Sequence, residues 1–500
     1  MFKEVKDIVI VGGGTSAWLS AAFLSRNIDY VNITLIDKEV GAPVGVGEGT
    51  LLNFDKFLKY CGFNTEDWFD EIDATFKSSI MFPNWGGQDS IIWHPFYLNQ
   101  EYPEFDSSVY EAWTHHQDRD LHELLPYWSL SVKNNVDTQN LDFYAYHVDC
   151  SKLVQWLQKK LEDKITIIKS EVVEIKKNED DYIESVTLKN GKTVHGDLFV
   201  DCTGFKQLLQ TKPERVDLTG RLFCDTAVAG HVPYQNIESE LNPYVISEAV
   251  DHGWIWNIPV QSRIGSGLVF NRNITDIETA KQYFCDYWDN RVTPDNLKVI
   301  DWTPYYNKNM WDKNVVAVGL SGGFIEPLES TGVATITLAI YELANRIRPG
   351  YFDTIDAEVF NALMSAVYED AIDFINMHYA QTYFDTSFWN FVKETRIDSP
   401  TYLRFKKILE SGERFNNHGK GHIFGAANWW CWLLQQEENI SPQKNITSET
   451  ADLILKDWKK QMDLSVEKPE TVSHISAIKN YMLYLNTNIH RKELRWGDDD

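Results

Sequence analysis

Residues 7–17 read Asp-Ile-Val-Ile-Val-Gly-Gly-Gly-Thr-Ser-Ala. The short β-branched apolar run predicts a strand buried on both faces, as in a parallel sheet. The glycines predict a tight turn, and the apolar stretch Trp18–Leu24 predicts a helix. A second strand, Asn32–Ile36, closes at Asp37, 20 residues after Ala17. In such a strand–turn–helix–strand unit the helix start receives a pyrophosphate and the distant acid meets a ribose hydroxyl. Ala17 stands where the third glycine of G-x-G-x-x-G is usual, a swap that still permits close helix–strand packing. Gly12, Gly14, Thr15, Ser16, Ala17 and Asp37 are therefore candidate dinucleotide-binding residues. A glycine-rich turn that binds nothing is the plainer alternative.

Working outward, helices are predicted over about 50–61, where Leu51, Phe54, Phe57 and Leu58 share a face, and over about 149–163. Residues 166–201 alternate, with a hairpin signal at Asn190-Gly191. They predict a small β-meander that returns to the nucleotide sheet at Asp197–Asp201. Val315–Val318 predicts another buried strand and Val333–Arg346 an apolar helix, and the chain beyond residue 350 is mainly helical in pattern. The fold class expected is α/β with a Rossmann-type sheet. A chain of 500 residues exceeds one hydrophobic core, and no low-complexity linker divides it, so the lobes are expected to interleave.

Composition narrows the partners. With 47 basic against 73 acidic residues the net charge is −26, which repels phosphate backbones and excludes nucleic acid as the expected partner. The six cysteines form no C-x-x-C pair, so no metal site is expected, and their scatter suits reduced thiols in the cytoplasm. No apolar run is long enough to span a bilayer, and the start at Met1 lacks a signal-peptide layout. Residues 254–259 read Trp-Ile-Trp-Asn-Ile-Pro. Indoles at i and i+2 of a strand point the same way, and Pro259 is expected to end the run. The result expected is a flat aromatic wall; core packing is the plainer reading.

These residues together resemble the flavin-dependent halogenases of the tryptophan-halogenase type. The resemblance rests on the loop at 12–17, Gly45-Val46-Gly47-Glu48-Gly49-Thr50, Ala74-Thr75-Phe76-Lys77, the tryptophans with Ile258 and Pro259, and Gly319–Gly332. Asp197–Gly204 is similar to a second FAD-contacting segment of wider flavoproteins. The motifs keep family order from residue 8 to about 346, and the resemblance fades after 350.

The resemblance implies FAD, used as FADH2, with O2 and a halide (chloride, bromide or iodide) giving hypohalous acid. That acid reaches a lysine and halogenates an electron-rich aromatic of indole or phenol type. It implies that Lys77 and Glu329 are catalytic, that Ser330, Thr331 and Gly332 bind halide, and that His94 and Phe96 line the substrate pocket. Gly47, Glu48, Gly319 and Leu320 join the FAD set, and Trp254 and Trp256 keep substrate from the flavin. Glu326 is expected nearer the flavin sheet. Each assignment has a plain counterpart: a surface lysine, helix N-terminal acids, an N-cap at Ser330 or Thr331, a structural histidine. The FAD-binding module is expected over 1–350, with core segments about 1–60, 150–205 and 310–346. Substrate-lobe segments interleave at about 70–145 and 210–305, and 351–500 completes that lobe as a mainly helical region. With one nucleotide fingerprint only, a separate flavin reductase is the expected partner; a homo-oligomer stays open. The alternatives are an FAD-dependent aromatic monooxygenase and a non-catalytic flavin-binding protein.

Overall fold

The structure is a computed structural model describing residues 3–38, 47–96, 105–125, 128–138, 141, 144–210, 212–414, 423–466 and 471–483. Gly45 and Val46 lie outside the described residues. The run at 7–11 forms the strand Asp7–Val11, buried from Ile8 onward, and Thr15–Asn27 follows as a helix. That strand lies inside a six-stranded sheet. The order is Thr166–Lys169, Asn32–Asp37, Asp7–Val11, Leu198–Asp201, Val315–Ala317 and Trp311–Asp312. All pairs are parallel except the last. Helices cover one face of this sheet and the meander packs on the other, against Val9, Val11, Ile36 and Phe199, which is why its strands read as unbroken apolar runs.

The meander is smaller than its sequence pattern suggested. Val172–Lys177, Ile183–Leu188 and Thr193–His195 form a three-stranded antiparallel sheet. Thr166–Lys169 instead pairs with Asn32–Asp37 as the edge of the parallel sheet. The helix Cys150–Leu161 packs on Thr15–Asn27 and so delivers the next strand parallel to its neighbour. Alternation alone does not distinguish an edge strand from a hairpin strand.

A second, seven-stranded sheet runs Lys298–Asp301, Thr226–Val232, Arg263–Phe270, Gly253–Val260, Tyr244–Val250, Ser79–Pro83 and Ile91–Pro95. Pro259 does not end its strand, contrary to expectation. The strand continues to Val260, and Pro259 pairs with Ile264 beside the hairpin turn, where a missing N–H costs little. The aromatic wall is not flat either. Trp254 and Trp256 lie 6.1 Å apart with planes inclined at 57°. Gly267 faces Trp256 across the strands; a methyl group there would lie 2.2 Å from the indole.

Beyond residue 350 the chain is largely helical, with Thr354–His378, Ser387–Thr395, Pro400–Ser411, Ala426–Gln436 and Ser448–Val466. Trp429, Trp430 and Trp432 are buried, and the most extensive of three apolar clusters runs from Val5 to Ile478. All six cysteines are buried free thiols.

One polar residue ties the meander to the parallel sheet. Buried Asn314 accepts from Ile183 N–H at 3.0 Å and donates to the carbonyls of Ile183 (2.9 Å) and Asp197 (3.1 Å). Asn314→Ala leaves these backbone groups unpaired and should cost about 2–3 kcal/mol. The check is a lowered midpoint in thermal or urea unfolding; an unchanged midpoint removes this role.

Candidate functional site

The glycine loop shapes one end of a cavity of about 1260 Å³. Gly12 has φ +139°, and a methyl group on it would lie 2.2 Å from the Cys202 carbonyl oxygen. One on Gly13 would lie 2.0 Å from the Asp37 carboxylate, whereas Gly14 faces open space. Backbone can therefore reach a phosphate group at Gly14, where no side chain caps the helix Thr15–Asn27 and no acid occupies its first turn. Asp37, Cys202, Thr203 and Gly204 line the same end, and Gly47, Glu48, Gly319 and Leu320 line the cavity further along. These residues suit a flavin dinucleotide: a glycine cradle, an acid for the ribose and a long cavity with mainly apolar walls. Ala17 lies beneath, fully buried in the helix.

At the other end the cavity meets the helix Thr331–Ile347. This helix begins two residues earlier than expected, so Thr331 and Gly332 form its first turn. Ser330 sits at its N-cap with φ +59°, and no side chain caps the turn. The N-cap reading, in which a hydroxyl satisfies these N–H groups, is thus excluded for Ser330. Ser330, Thr331 and Gly332 all line the cavity, where the unpaired N–H groups can receive an anion. Trp256 and Ile258 line it too.

Lys77 comes from a small antiparallel sheet in which Ala145–Val148 joins Glu48–Gly49 to Thr75–Lys77. It is fully buried, yet Nζ donates to the Thr50 carbonyl at 3.0 Å and lies 5.0 Å from the Phe96 ring centre. Burial pushes its pKa down to about 7 against a weaker upward pull from Glu329. Neighbouring His147 is held well below its ordinary value by burial and by the Lys77 charge. Gly49, which lines the cavity with Ser330, lies against this amine. A methyl group on Gly49 would lie 2.7 Å from Ser330 Oγ and 3.0 Å from Lys77 Nζ.

Glu329 is buried in the 3-10 turn Pro327–Glu329. His94 Nδ1 approaches its Oε2 at 2.9 Å, and His378 Nε2 approaches its Oε1 at 2.6 Å. Burial would raise the carboxyl pKa, but the two imidazoles reverse this and bring it to about 2. Glu326 is held apart from the Glu329 histidines by its own partners. Its carboxylate accepts from the backbone of Phe223 and Cys224, from the Trp254 indole and from the Tyr379 hydroxyl. Trp254 is thereby turned to Glu326, while Trp256 faces the cavity.

Lys77, Glu329, His94 and Phe96 converge, and the glycine loop and the Ser330–Gly332 turn line one cavity. His378 and Asn428 were missed by sequence reasoning. Asn428 Nδ2 lies 2.9 Å from His94 Nε2. His378 follows a mixed run, Ala371-Ile372-Asp373-Phe374-Ile375-Asn376-Met377, which gave no direction toward Glu329. Among the described residues no acid, histidine and cysteine cluster could hold a metal, and no helix is long and apolar enough to cross a membrane.

The family model described as tryptophan halogenase matches residues 7–451. The tryptophan 6-halogenase ThaL of Streptomyces albogriseolus is 31% identical over 433 residues, covering 79% of this chain and 80% of that protein. The tryptophan 7-halogenase RebH of Lentzea aerocolonigenes is 29% identical over 430 residues, covering 79% and 80%. Among solved structures, Xcc4156, a flavin-dependent halogenase from Xanthomonas campestris, matches with a TM-score of 0.86 at 25% identity, over 96% of this chain and 99% of that one.

A buried lysine has a cost that shows in stability. Because folding lowers its pKa from 10.5 to about 7, the unfolded chain binds more protons between those values. This group's contribution to stability therefore rises with pH from about 7 to 10.5. Lys77→Met should raise stability at neutral pH by about 1–4 kcal/mol and flatten that slope. Thermal unfolding from pH 6.5 to 9.5 tests this; a destabilised variant with an unchanged slope contradicts it.

Proposed function

The chain belongs to the tryptophan halogenase family, whose members are flavin-dependent enzymes acting with O2, and from that premise we propose a specific division of labour. The enzyme halogenates an electron-rich aromatic carbon of an indole or phenol. The observation carrying this reading is that the Lys77 amine and the Ser330 hydroxyl crowd the same side of Gly49. Both lie within 3.0 Å of the point where a side chain on that residue would begin.

Gly12–Ser16, Ala17 and Asp37 hold the nucleotide end of FAD, and Gly47, Glu48, Gly319 and Leu320 complete the cavity around it. Reduced FAD, when bound, supplies with O2 the oxidising power that turns halide into hypohalous acid. The N–H groups of Thr331 and Gly332, with Ser330, hold chloride, bromide or iodide at the end of the cavity. Lys77 receives hypohalous acid, either by hydrogen bond from its ammonium or as a haloamine from the free amine. Its pKa of about 7 supplies both forms at neutral pH. His94 and Phe96 flank the acceptor ring, and Glu329 accepts the proton that the ring loses. Trp256, backed by Trp254, Ile258 and Pro259, closes the cavity wall against the substrate. That closure disfavours the monooxygenase alternative, which needs substrate at the flavin. A fully buried lysine disfavours a non-catalytic role, since burial costs stability with no structural return.

The segments 1–60, 150–205 and 310–346 then form the FAD-binding core, with 70–145, 210–305 and 351–500 as the substrate lobe. A separate flavin reductase delivers FADH2 by diffusion, in the cytoplasm.

The experiment supplies FAD, a flavin reductase, NADH, O2 and bromide to a panel of indoles and phenols, and reads product masses. A bromine isotope doublet is expected; a gain of one oxygen supports the monooxygenase, and an unchanged panel the non-catalytic reading. Lys77→Ala should abolish halogenation and retain FAD binding, whereas Glu329→Gln should lower kcat about 10²-fold. Parental rates in either variant count against the assigned roles. The pH profile of kcat should inflect near 7. A fall through that value marks the ammonium donor, a rise marks the amine, and no inflection from pH 6 to 9 rejects titration of Lys77.

A further inference from the structure

We propose that Glu329 and His378 hold one proton in common, and that His378 is a positioning residue that neutralises the carboxylate beside Lys77 and receives the proton that Glu329 collects. The inference rests on the reading of Glu329 given above.

The protons in this cluster are assigned by backbone groups that cannot change roles. Gly425 N–H donates to Asn428 Oδ1 at 2.8 Å, so the Asn428 amide nitrogen faces His94. His94 Nε2 must then accept, and Nδ1–H donates to Glu329 Oε2 at 2.9 Å. On the other side the Phe374 carbonyl can only accept, so His378 Nδ1, 2.8 Å away, carries a proton. His378 Nε2 and Glu329 Oε1 are left facing each other at 2.6 Å. An unprotonated imidazole nitrogen and an ionised carboxylate are both acceptors and would repel at that distance. One proton between them resolves the contact, and either placement leaves the pair with zero net charge.

Burial works in the same direction. It disfavours the charged form of each partner: it lowers the imidazole pKa of His378 and, without the imidazoles, would raise the carboxyl of Glu329. The Trp432 ring lies 3.6 Å from the imidazole, centre to centre, where its π face supports an imidazolium. Phe82 and Trp85 pack edge-on around the same ring. The titratable groups facing the pair are His94 from the strand Ile91–Pro95 and Lys77 from the strand Thr75–Lys77. The helix Ala426–Gln436 presents Asn428 and Trp432, which do not titrate. On the adjoining turn Tyr379 is committed to Glu326.

Two consequences follow. An ionised Glu329 pulls Lys77 toward the ammonium; the neutral pair weakens that pull and favours the free amine. When the halogenated ring loses its proton, the C–H bond breaks and its electrons return to the ring. The proton passes to the Glu329 carboxylate, and the shared proton settles on His378 Nε2. The cluster goes from zero to one positive charge, and no other reactant is required.

The test uses whole enzyme labelled with 15N at its histidines, the His378 signals being assigned by their absence in His378→Gln. Both nitrogens of His378 should report a bound or shared proton from pH 5.5 to 8.5. A bare Nε2 over that range overturns the proposal, and this readout needs no substrate and no active variant. In turnover, His378→Gln should lower kcat about 10- to 100-fold with KM and FAD affinity within about twofold. The inflection near pH 7 should move upward, because glutamine donates a hydrogen bond but holds no second proton. If His378→Gln keeps the parental rate and profile, the functional role is rejected. If the parental enzyme halogenates nothing while the shared proton is observed, the functional reading fails and the proton assignment stands.

Discussion

Burying one amine is the constraint around which the site is arranged. Lys77 has one carbonyl, an aromatic ring and a nearby carboxylate in place of water. No ordinary core keeps a lysine on such terms, because desolvation disfavours its charge and its stem could be replaced by an apolar side chain. The sheet of Glu48–Gly49, Ala145–Val148 and Thr75–Lys77 holds it in place. That sheet draws together segments separated by about a hundred residues and stands between the two larger sheets' chemistry. Through Gly49 it lines the cavity; through Lys77 it feels the charge of Glu329.

Close approach is the second theme. Four glycines permit contacts that any side chain would block: Gly12 against Cys202, Gly13 against Asp37, Gly49 against Ser330 and Lys77, and Gly267 against Trp256. In each case backbone is brought to a position where a ligand, a carboxylate or an indole can lie against it. The cavity is therefore a consequence of missing side chains as much as of those present. Trp254 and Trp256 serve different surroundings despite their shared strand face: one indole is tied to Glu326, while the other faces the cavity.

The nucleotide unit was legible because its signals are local. Asp7–Val11, the glycine turn, the helix and Asp37 lie within thirty-odd residues, and each has a stereochemical reason to be where it is. The strand at Thr166–Lys169 was misassigned because alternation describes a half-buried strand without saying which sheet accepts it. Pro259 was expected to end a strand on a rule that holds for sheet interiors and fails next to a hairpin turn. His94, Phe96, Lys77 and Glu329 entered through resemblance to a family, since nothing in their spacing brings them together.

The sequence by itself determined the halves of this protein that depend on neighbours along the chain: the glycine turn, the apolar helix that follows Gly332 and the paired indoles. Only the tertiary structure decided what depends on neighbours across it. It placed His378 against Glu329 and Asn428 against His94, and it buried Lys77 beside Gly49. Proton positions and pKa values are set by contacts a few ångströms long between residues tens to hundreds apart. Residue order carries no measure of those distances until the core closes around them.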